Sequence, residues 1–411
     1  MMKKKQFIIL MIFLFSLLVV LQIIHSVLLQ YLEDFEMNIY EEPLASDNQD
    51  HNGFDMEPGS LLSHMSEAVK SNSSPDDSGE YQIVENVLYS AEGTDRDVTL
   101  AVHASVESLS TLPRTIHQWE GPVSLAVLVT AELADEAALR LLALRLCVAG
   151  PLALHLVVSV GLQLRWPARP PGRGALCRRL DSPPPARSYQ LSVPYPNNLL
   201  RNVARRAARS QFVLSLDADM VPSDGLRRQF MALADAARLW EAPEPRTAYV
   251  LPLYEVGAAV APPRDKTTLL ELRRRWPGLL RPFYATACAK CQAPTDYARW
   301  EAAPAAGRLA PLYDVAWADP WEPVYVLHRD APLYDTRFRQ FGFNRISHAC
   351  ELHVAGFSFR VLGDGFVLHL GLKGEDPPRP GQQEEQDRNR LLFRQFKQEL
   401  KVKYPASSRR C

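Results

Sequence analysis

A short apolar segment that ends in two carboxylates constrains this chain more than any other stretch of its sequence. Phe212–Leu216 precedes Asp217 and Asp219. A run this short predicts a buried strand of a parallel sheet, and ligands bind beyond the carboxyl ends of such strands. Because side chains alternate along an extended chain, we expect both carboxylates on one side. They favour Mg²⁺ or Mn²⁺ held against nucleotide phosphates; a solvated turn is the alternative.

The segments around this strand predict an α/β domain. Strand patterns at Asp97–Ser105, Val123–Thr130 and Leu152–Val160, with a helical leucine pattern at Ala134–Cys147, indicate a mostly parallel central sheet flanked by helices. Further helices are predicted at about 196–209 and at Gly225–Trp240, Leu269–Trp276, Ile346–Ala355 and Gln382–Lys403, and further strands at Ala248–Val256, Val324–Leu327, Phe357–Leu362 and Gly365–His369. Segment 162–188, rich in Arg and Pro, is predicted to be a loop.

The N-terminus predicts a membrane anchor. Lysines at positions 3–5 precede an apolar run at 7–29, which at about 1.5 Å per residue spans a bilayer core of about 30 Å. We expect a signal-anchor with residues 1–6 in the cytosol and the rest in the lumen of the Golgi or endoplasmic reticulum. A cleaved signal peptide is the alternative. We expect residues 30–96 to form a flexible acidic stem, with Asn72 in the chain's only N-x-S/T sequon as a candidate glycosylation site. Residues 97–411 would form the lumenal domain.

Charge and cysteine content narrow the partners and the compartment. The 411 residues carry a formal net charge of −1, which argues against a nucleic-acid partner. The six cysteines can form up to three disulfides in an oxidising lumen, in a pairing that the sequence does not reveal. Cys288 and Cys291 lack a second ligand pair at zinc-site spacing, so a disulfide is favoured over zinc, with free thiols as the alternative.

Several motifs together resemble one family of glycosyltransferases. They are YPNNLLRN (195–202), DADMVPS (217–223), CQAPTDYARW (291–300), DPWEP (319–323), FRQFGFNRISHACELHVAGF (338–357) and FRQFKQELKVKYP (393–405). Over about residues 98–411 the chain is similar to the family that contains the β-1,4-glucuronyltransferases and the second catalytic domain of the dystroglycan-modifying polymerase LARGE. Segment 162–188 differs from the family's pattern, which leaves the choice of acceptor open.

The resemblance implies a fold and a reaction. The fold would be GT-A, and the enzyme a Golgi type II membrane protein. It would transfer glucuronic acid from UDP-glucuronate, with inversion, in β-1,4 linkage to xylose on the O-mannosyl glycan of α-dystroglycan. That step primes extension by LARGE, which would be a further partner.

The resemblance also implies roles for single residues. Asp217, Asp219 and His369 would hold Mn²⁺ (or Mg²⁺) against UDP. The carboxylate of UDP-glucuronate invites a bidentate arginine, for which Arg345 is the candidate. Arg201 and the neighbouring Asn344 are further donor-binding candidates, and Arg339 is an alternative arginine.

The general base and the acceptor contact are less determined. Inversion requires a base for the attacking hydroxyl, and Glu322 and Glu351 are the acidic candidates. Glu351 has a structural ion pair as its alternative. Trp321 offers a flat apolar face to an acceptor sugar, with burial in the core as the alternative.

Two other functions fit the same motifs. One is a transferase of the same fold that uses another donor, such as UDP-activated N-acetylglucosamine or xylose. The other is a non-catalytic Golgi scaffold. The simultaneous presence of Asp217, Asp219 and His369 argues against the scaffold, because a chain without metal chemistry has no need of all three.

Overall fold

The computed structural model describes residues 57–89, 94–182, 194–241, 246–374 and 381–411, together with four isolated positions in the N-terminal region. The chain divides into two units, Met1–Asp55 and Met56–Cys411. In the first unit the four described residues are helical: Leu18, Leu21, Gln22 and His25. No helix in the described part of the chain is long and apolar enough to cross a membrane. Apart from those four positions, the predicted tail at 1–6 and anchor at 7–29 lie outside the described residues.

The described part of the second unit contains fourteen strands and ten α-helices. The strands are β1 Ser73–Pro75, β2 Tyr81–Leu88, β3 Val98–Ser105, β4 Val123–Val129, β5 Leu152–Ser159, β6 Phe212–Asp217, β7 Met220–Pro222, β8 Thr247–Leu251, β9 Leu253–Val256, β10 Leu280–Pro282, β11 Ala310–Val315, β12 Val324–His328, β13 Ser358–Gly363 and β14 Val367–Leu370. The α-helices are α1 Pro58–Ser71, α2 Leu112–Trp119, α3 Ala134–Cys147, α4 Arg173–Asp181, α5 Asn197–Arg206, α6 Leu226–Ala236, α7 Lys266–Arg275, α8 Tyr297–Ala302, α9 Asn344–Val354 and α10 Gln382–Lys403.

The large sheet has the order β1-β2-β5-β4-β3-β6-β12-β8-β13-β11. Its parallel pairs are β5–β4, β4–β3, β3–β6 and β8–β13, and the other neighbours are antiparallel. The mixed α/β class and the central sheet are confirmed, but the prediction of a mostly parallel sheet is wrong outside the β5-β4-β3-β6 block. Hydrophobic patterns locate buried strands without fixing the direction of pairing between segments that are distant in sequence.

A second sheet, of the order β10-β9-β14-β7, lies after the carboxylate motif in the chain. Its strand β14 pairs antiparallel with β7, in a register that sets His369 opposite Met220. The strand predicted at Ala248–Val256 is in fact divided at Pro252 between the two sheets. Proline supplies no N–H for a strand ladder, which explains a break at this position. This second sheet carries His369 to the residues that follow Asp217.

The predicted helices at Ala134–Cys147 and Gln382–Lys403 have the bounds that the sequence indicated. The prediction of a loop throughout 162–188 is wrong, because α4 forms within it. Leu176 and Leu180 of α4 are buried, four residues apart on one face. The Cys147–Cys177 disulfide joins α4 to α3. Tertiary packing therefore overrides the unfavourable composition of this segment.

The predicted flexible stem at 30–96 is wrong for its second half. Residues 57–89 contain α1, β1 and β2, and β2 pairs antiparallel with β5 of the large sheet. Helix α1 buries Leu61, Leu62 and Met65. The acidic average composition of the segment hid these apolar positions, which recur at helical spacing. Asn72 is exposed at the end of α1, where its side-chain amide donates to Glu85 O (3.4 Å); its glycosylation stays a prediction.

Three disulfides use all six cysteines. Besides Cys147–Cys177, they are Cys288–Cys291, which closes a turn three residues apart in sequence, and Cys350–Cys411, which ties the last residue to α9. The expectation of up to three bridges is confirmed, and Cys288 and Cys291 are paired with each other.

Residues 57–89 are expected to be required for stability. A fragment of residues 97–411 would expose the edge of β5 and lose the side chains that α1 buries, each worth about 1.5–3 kcal/mol. We expect this fragment to unfold at a markedly lower temperature than residues 56–411 when followed by circular dichroism. A fragment of residues 30–411 serves as the control and should unfold like 56–411. Equal melting temperatures for all three would show that 57–89 adds nothing to the domain.

Candidate active site

Asp217 is the last residue of β6 and lies among three cationic or potentially cationic side chains. Its Oδ1 accepts from Arg201 Nη2 of α5 (3.0 Å) and lies 2.7 Å from His103 Nε2 of β3. Its Oδ2 lies 2.6 Å from Arg345 Nη2 of α9. The register of β3 against β6 sets His103 directly beside Asp217. Two helices and two parallel strands therefore converge on one carboxylate.

The electrostatics of this cluster keep Asp217 ionised. Burial opposes its charge, but Arg345, Arg201 and His103 together hold the pKa of Asp217 well below its usual range. Burial lowers the pKa of His103, although Asp217 opposes this, so the imidazole is neutral near pH 7. It then donates from Nε2 to Asp217 and accepts from the Tyr195 hydroxyl at Nδ1 (3.0 Å). Two guanidinium groups contact this single carboxylate, an arrangement that attracts an anionic ligand.

Asp219 has different partners from Asp217. The strand ends at Asp217, and Ala218 and Asp219 form a turn, so the expected strand alternation does not continue to Asp219. Its Oδ2 lies 3.0 Å from His369 Nε2 and 3.8 Å from Lys373 Nζ. Burial opposes the charge of Asp219, but His369 and Lys373 outweigh it and lower the pKa of the carboxyl.

The Asp219–His369 pair has two features that fit a divalent cation. His369 Nδ1 lies 2.7 Å from Gly371 O, to which it donates, and this bond orients the ring so that Nε2 is the nitrogen that faces Asp219. Asp219 Oδ1 is buried and has no hydrogen-bond partner among the described residues. Within the same residues, no three His, Cys, Asp or Glu side chains are grouped to hold a metal ion. Asp219 and His369 are brought together, whereas Asp217 faces the arginines, and the metal-ligand role of all three stays a prediction.

Glu322 belongs to the same electrostatic environment. Glu322 is partly buried, and burial raises its pKa although Arg345 and Arg201 oppose this. A carboxylate with a raised pKa is a stronger base than a free one. Of the two predicted base candidates, the structure favours Glu322.

The other base candidate, Glu351, is excluded by its contacts. Its side chain is buried, and Oε1 accepts from Lys403 Nζ (2.6 Å) and from the Tyr404 hydroxyl (2.9 Å). These partners lie at the end of α10, beside the chain terminus that Cys350–Cys411 attaches to α9. Glu351 therefore fastens the C-terminal helix, and its predicted catalytic role is wrong.

The prediction that Trp321 binds the acceptor is also wrong. Trp321 is fully buried, with 0% of its side chain exposed. Its indole Nε1 donates to Thr295 Oγ1 (3.0 Å), and its ring meets Phe359 edge-on. A tryptophan with no exposed face offers no surface to a sugar, so Trp321 is a core residue.

The donor-binding candidates are found together, with one exception. Asn344 begins α9, and its Oδ1 accepts from Arg201 Nη1 (2.9 Å). Asn344 thus helps to orient Arg201, which also contacts Asn198 and Asp217. Arg345 is buried and its pKa is raised by Asp217 and Glu322, against the effect of burial. Arg339 instead forms an ion pair with Glu80, outside this cluster.

Sequence reasoning missed three residues of the site: His103, Lys373 and Tyr284. His103 is the one titratable residue of the buried strand Val98–Ser105, and that contrast was the available signal. Lys373 follows His369 by four residues, and its backbone N–H donates to the buried Glu255 (3.0 Å), which also holds Arg281. Tyr284 has a left-handed backbone (φ +59°), and burial together with Glu322 raises its pKa. A left-handed tyrosine cannot be predicted from composition.

Comparison with known proteins agrees with this geometry. Residues 97–405 match the model of the family described as "Glycosyl-transferase for dystroglycan". The chain belongs to this glycosyltransferase family. It is 42% identical over 351 residues to β-1,4-glucuronyltransferase 1 of Homo sapiens, with 82% of each chain covered. It is 37% identical over 362 residues to β-1,4-glucuronyltransferase 1 of Danio rerio, with 82% of this chain and 83% of the relative covered. It is 31% identical over 279 residues to the human xylosyl- and glucuronyltransferase LARGE2, covering 67% of this chain and 33% of the relative.

Two solved structures match the chain much more weakly. S. aureus TarS 1–349 is 10% identical with a TM-score of 0.35, covering 67% of this chain and 60% of TarS. GalNAc-T7 with UDP, GalNAc and Mn²⁺ is 11% identical with a TM-score of 0.38, covering 76% of this chain and 51% of GalNAc-T7. Similarity of this extent carries no argument about the fold or the site.

The structural role of Glu351 gives a testable prediction. Glu351→Ala removes a buried acceptor from Lys403 and Tyr404, and we expect the free energy of unfolding to fall by about 1–3 kcal/mol in urea titrations. Turnover of the folded protein should be unchanged. Glu399→Ala, on the helix α10 that Glu351 fastens, is the matched control, because its ion pair with Arg337 is exposed and should be worth at most about 1 kcal/mol. Loss of turnover without loss of stability would restore Glu351 as a base.

Proposed function

We propose that this chain is a glucuronyltransferase of dystroglycan glycan synthesis. It transfers glucuronic acid from UDP-glucuronate, in β-1,4 linkage, to xylose on the O-mannosyl glycan of α-dystroglycan, and so prepares that glycan for extension by LARGE. The observation that carries the proposal is the arginine pair at Asp217 beside Asp219 and His369. Membership of the family and 42% identity to a β-1,4-glucuronyltransferase support it.

The donor would bind at the end of β6, in a domain of the GT-A type. Arg345 and Arg201 attract its anionic groups, and Asp217 fixes the orientation of both guanidinium groups in the absence of the donor. Lys373 adds a positive charge beside Asp219. Asp219 and His369, with Asp217, are the residues that would hold Mn²⁺ or Mg²⁺, which when bound neutralises the developing charge of the UDP leaving group.

Glu322 would act as the general base of an inverting transfer. The acceptor hydroxyl attacks the sugar carbon, its proton passes to Glu322, and the bond to UDP breaks on the opposite face. The raised pKa of Glu322 matches this task, because a stronger base removes the proton at lower cost. Tyr284, which lies in the field of Glu322 and Arg345, stays a neutral phenol.

The cellular setting is part of the same proposal. We place the enzyme in the Golgi membrane as a single-pass type II protein anchored by residues 7–29, with its catalytic unit in the lumen. The three disulfides support an oxidising compartment. The glycan of α-dystroglycan is the substrate and LARGE a further partner. The alternatives are transfer of N-acetylglucosamine or xylose and a non-catalytic scaffold role. A donor screen distinguishes them.

Donor choice and the base can be tested together on the full-length protein in detergent. With Mn²⁺ and a β-xyloside acceptor, we expect transfer from UDP-glucuronate and not from UDP-N-acetylglucosamine or UDP-xylose. Glu322→Gln keeps the shape of the side chain but removes the base, so kcat should fall by about 10²–10⁴-fold. Arg345→Lys should raise the apparent KM for UDP-glucuronate. Transfer from another donor would overturn the specificity, and full turnover by Glu322→Gln would overturn the base.

The metal site has a readout that is independent of turnover. We expect isothermal titration of Mn²⁺ in the presence of UDP to show binding that Asp219→Asn and His369→Ala each weaken by more than the ~10–100-fold typical of lost outer contacts. EDTA should abolish transfer. Asp224→Asn, at an exposed carboxylate paired with Arg264, is the control and should bind like the unmodified protein. Undiminished binding by His369→Ala would remove His369 from the ligand set.

A further inference from the structure

The backbone of Glu322 is held by two consecutive residues of another loop. Its N–H donates to Cys291 O (2.9 Å), and its carbonyl accepts from the side-chain amide of Gln292 (Nε2, 2.8 Å). These contacts join segments 30 residues apart in sequence. Both polar groups of the Glu322 backbone therefore depend on the Cys291–Gln292 pair.

The loop that carries Glu322 has few backbone N–H groups with which to stabilise its own conformation. Pro320 and Pro323 flank the segment and supply no N–H, so its backbone donors are those of Trp321 and Glu322, of which Trp321 N donates within the loop to Ala318 O (2.9 Å) and Glu322 N donates outside it. Trp321 is fixed on one side by its indole bond to Thr295. Its neighbour Glu322 lies in the electrostatic field of Arg345, Arg201 and Asp217, so the contacts of its backbone set where its carboxylate lies relative to these groups.

The Cys291–Gln292 pair is itself rigidly placed. The Cys288–Cys291 disulfide closes the turn, within which Cys291 N donates to Cys288 O (2.9 Å). Gln292 is 3% exposed, and its Oε1 lies 3.3 Å from the Tyr297 hydroxyl. At its other end the turn is bonded to a second site residue, since Cys288 N donates to Tyr284 O (2.8 Å). The turn thus connects the segment of Tyr284 to the segment of Glu322.

We propose that Gln292, at the end of the disulfide-closed turn 288–292, is a positioning residue that sets the Glu322 carboxylate for proton transfer. This inference rests on the proposed role of Glu322 as the base. Gln292 acts through the Glu322 backbone: its amide contacts a carbonyl, and its burial keeps it away from substrate. Its loss should therefore slow the chemical step and leave donor binding intact.

The test compares Gln292→Met with Glu322→Gln in the full-length protein. Methionine keeps the length of glutamine but cannot donate to the Glu322 carbonyl. We expect Gln292→Met to lower kcat about tenfold, with KM for UDP-glucuronate within about twofold of the unmodified enzyme, since a misplaced catalytic group costs rate without altering donor contacts. Added to Glu322→Gln, it should cause no further loss of kcat, because both changes act on one group.

Gln118→Met is the matched control. Gln118 is a half-buried glutamine, less buried than Gln292, and its amide donates to the Pro222 carbonyl (2.6 Å) rather than to Glu322. Its kcat should equal that of the unmodified enzyme, and its thermal midpoint should match that of Gln292→Met.

Each contrary result has a distinct meaning. If Glu322→Gln lowered kcat and Gln292→Met did not, the positioning role would be overturned and the proposed function would stand. Fully active Glu322→Gln would refute the base, and the positioning role with it. A Gln292→Met variant that loses donor affinity, or multiplies the defect of Glu322→Gln, would reveal a general structural role and contradict the inference.

Discussion

The buried ion pairs of Asp217 are the interaction on which the rest of this site depends. Removing charged groups from water costs free energy. The Asp217 carboxylate offsets this cost for two guanidinium groups only because the contacts are short and additional polar groups surround them. His103, Asn198 and Asn344 supply those groups. Strand register and two helices place them, so the fold of the large sheet and the charge of the site cannot be separated. Loss of Asp217 would leave Arg201 and Arg345 buried without their common partner.

Asp217 and Asp219 have different partners because the chain turns between them. Asp217 ends a strand and meets the arginines, whereas Asp219 lies in the turn and meets His369 from the second sheet. The β14–β7 pairing is what brings His369 there. A single strand with two aligned aspartates would place both in the same environment. Because of the short turn, the Asp217 carboxylate contacts the arginines, whereas Asp219 Oδ1 has no hydrogen-bond partner among the described residues.

Much of the fold and part of the site were predictable from local pattern. The strand at Phe212–Asp217, helices α3 and α10 and the candidate residues Arg201, Asn344 and Arg345 were found because apolar periodicity and motif similarity are local signals. The direction of strand pairing, the ordered residues 57–89 and helix α4 were not, because contacts distant in sequence decide them. Trp321 and Glu351 were misjudged for a related reason: a residue type suited to a site is also suited to the core, and only burial distinguishes the two.

The general base is where this distinction matters most. Glu322 and Glu351 are equivalent as residue types, yet one is fixed by Lys403 and Tyr404 while the other has a side chain left available. Within the described part of the chain, the hydrogen bonds of Glu322 hold its backbone and none holds its carboxylate. That division is what a base requires, because a carboxylate that accepts strong bonds loses basicity, whereas one on a loose loop loses position. A turn closed by a disulfide satisfies both conditions, since it holds the backbone of Glu322 without contacting the carboxylate that we propose as the base.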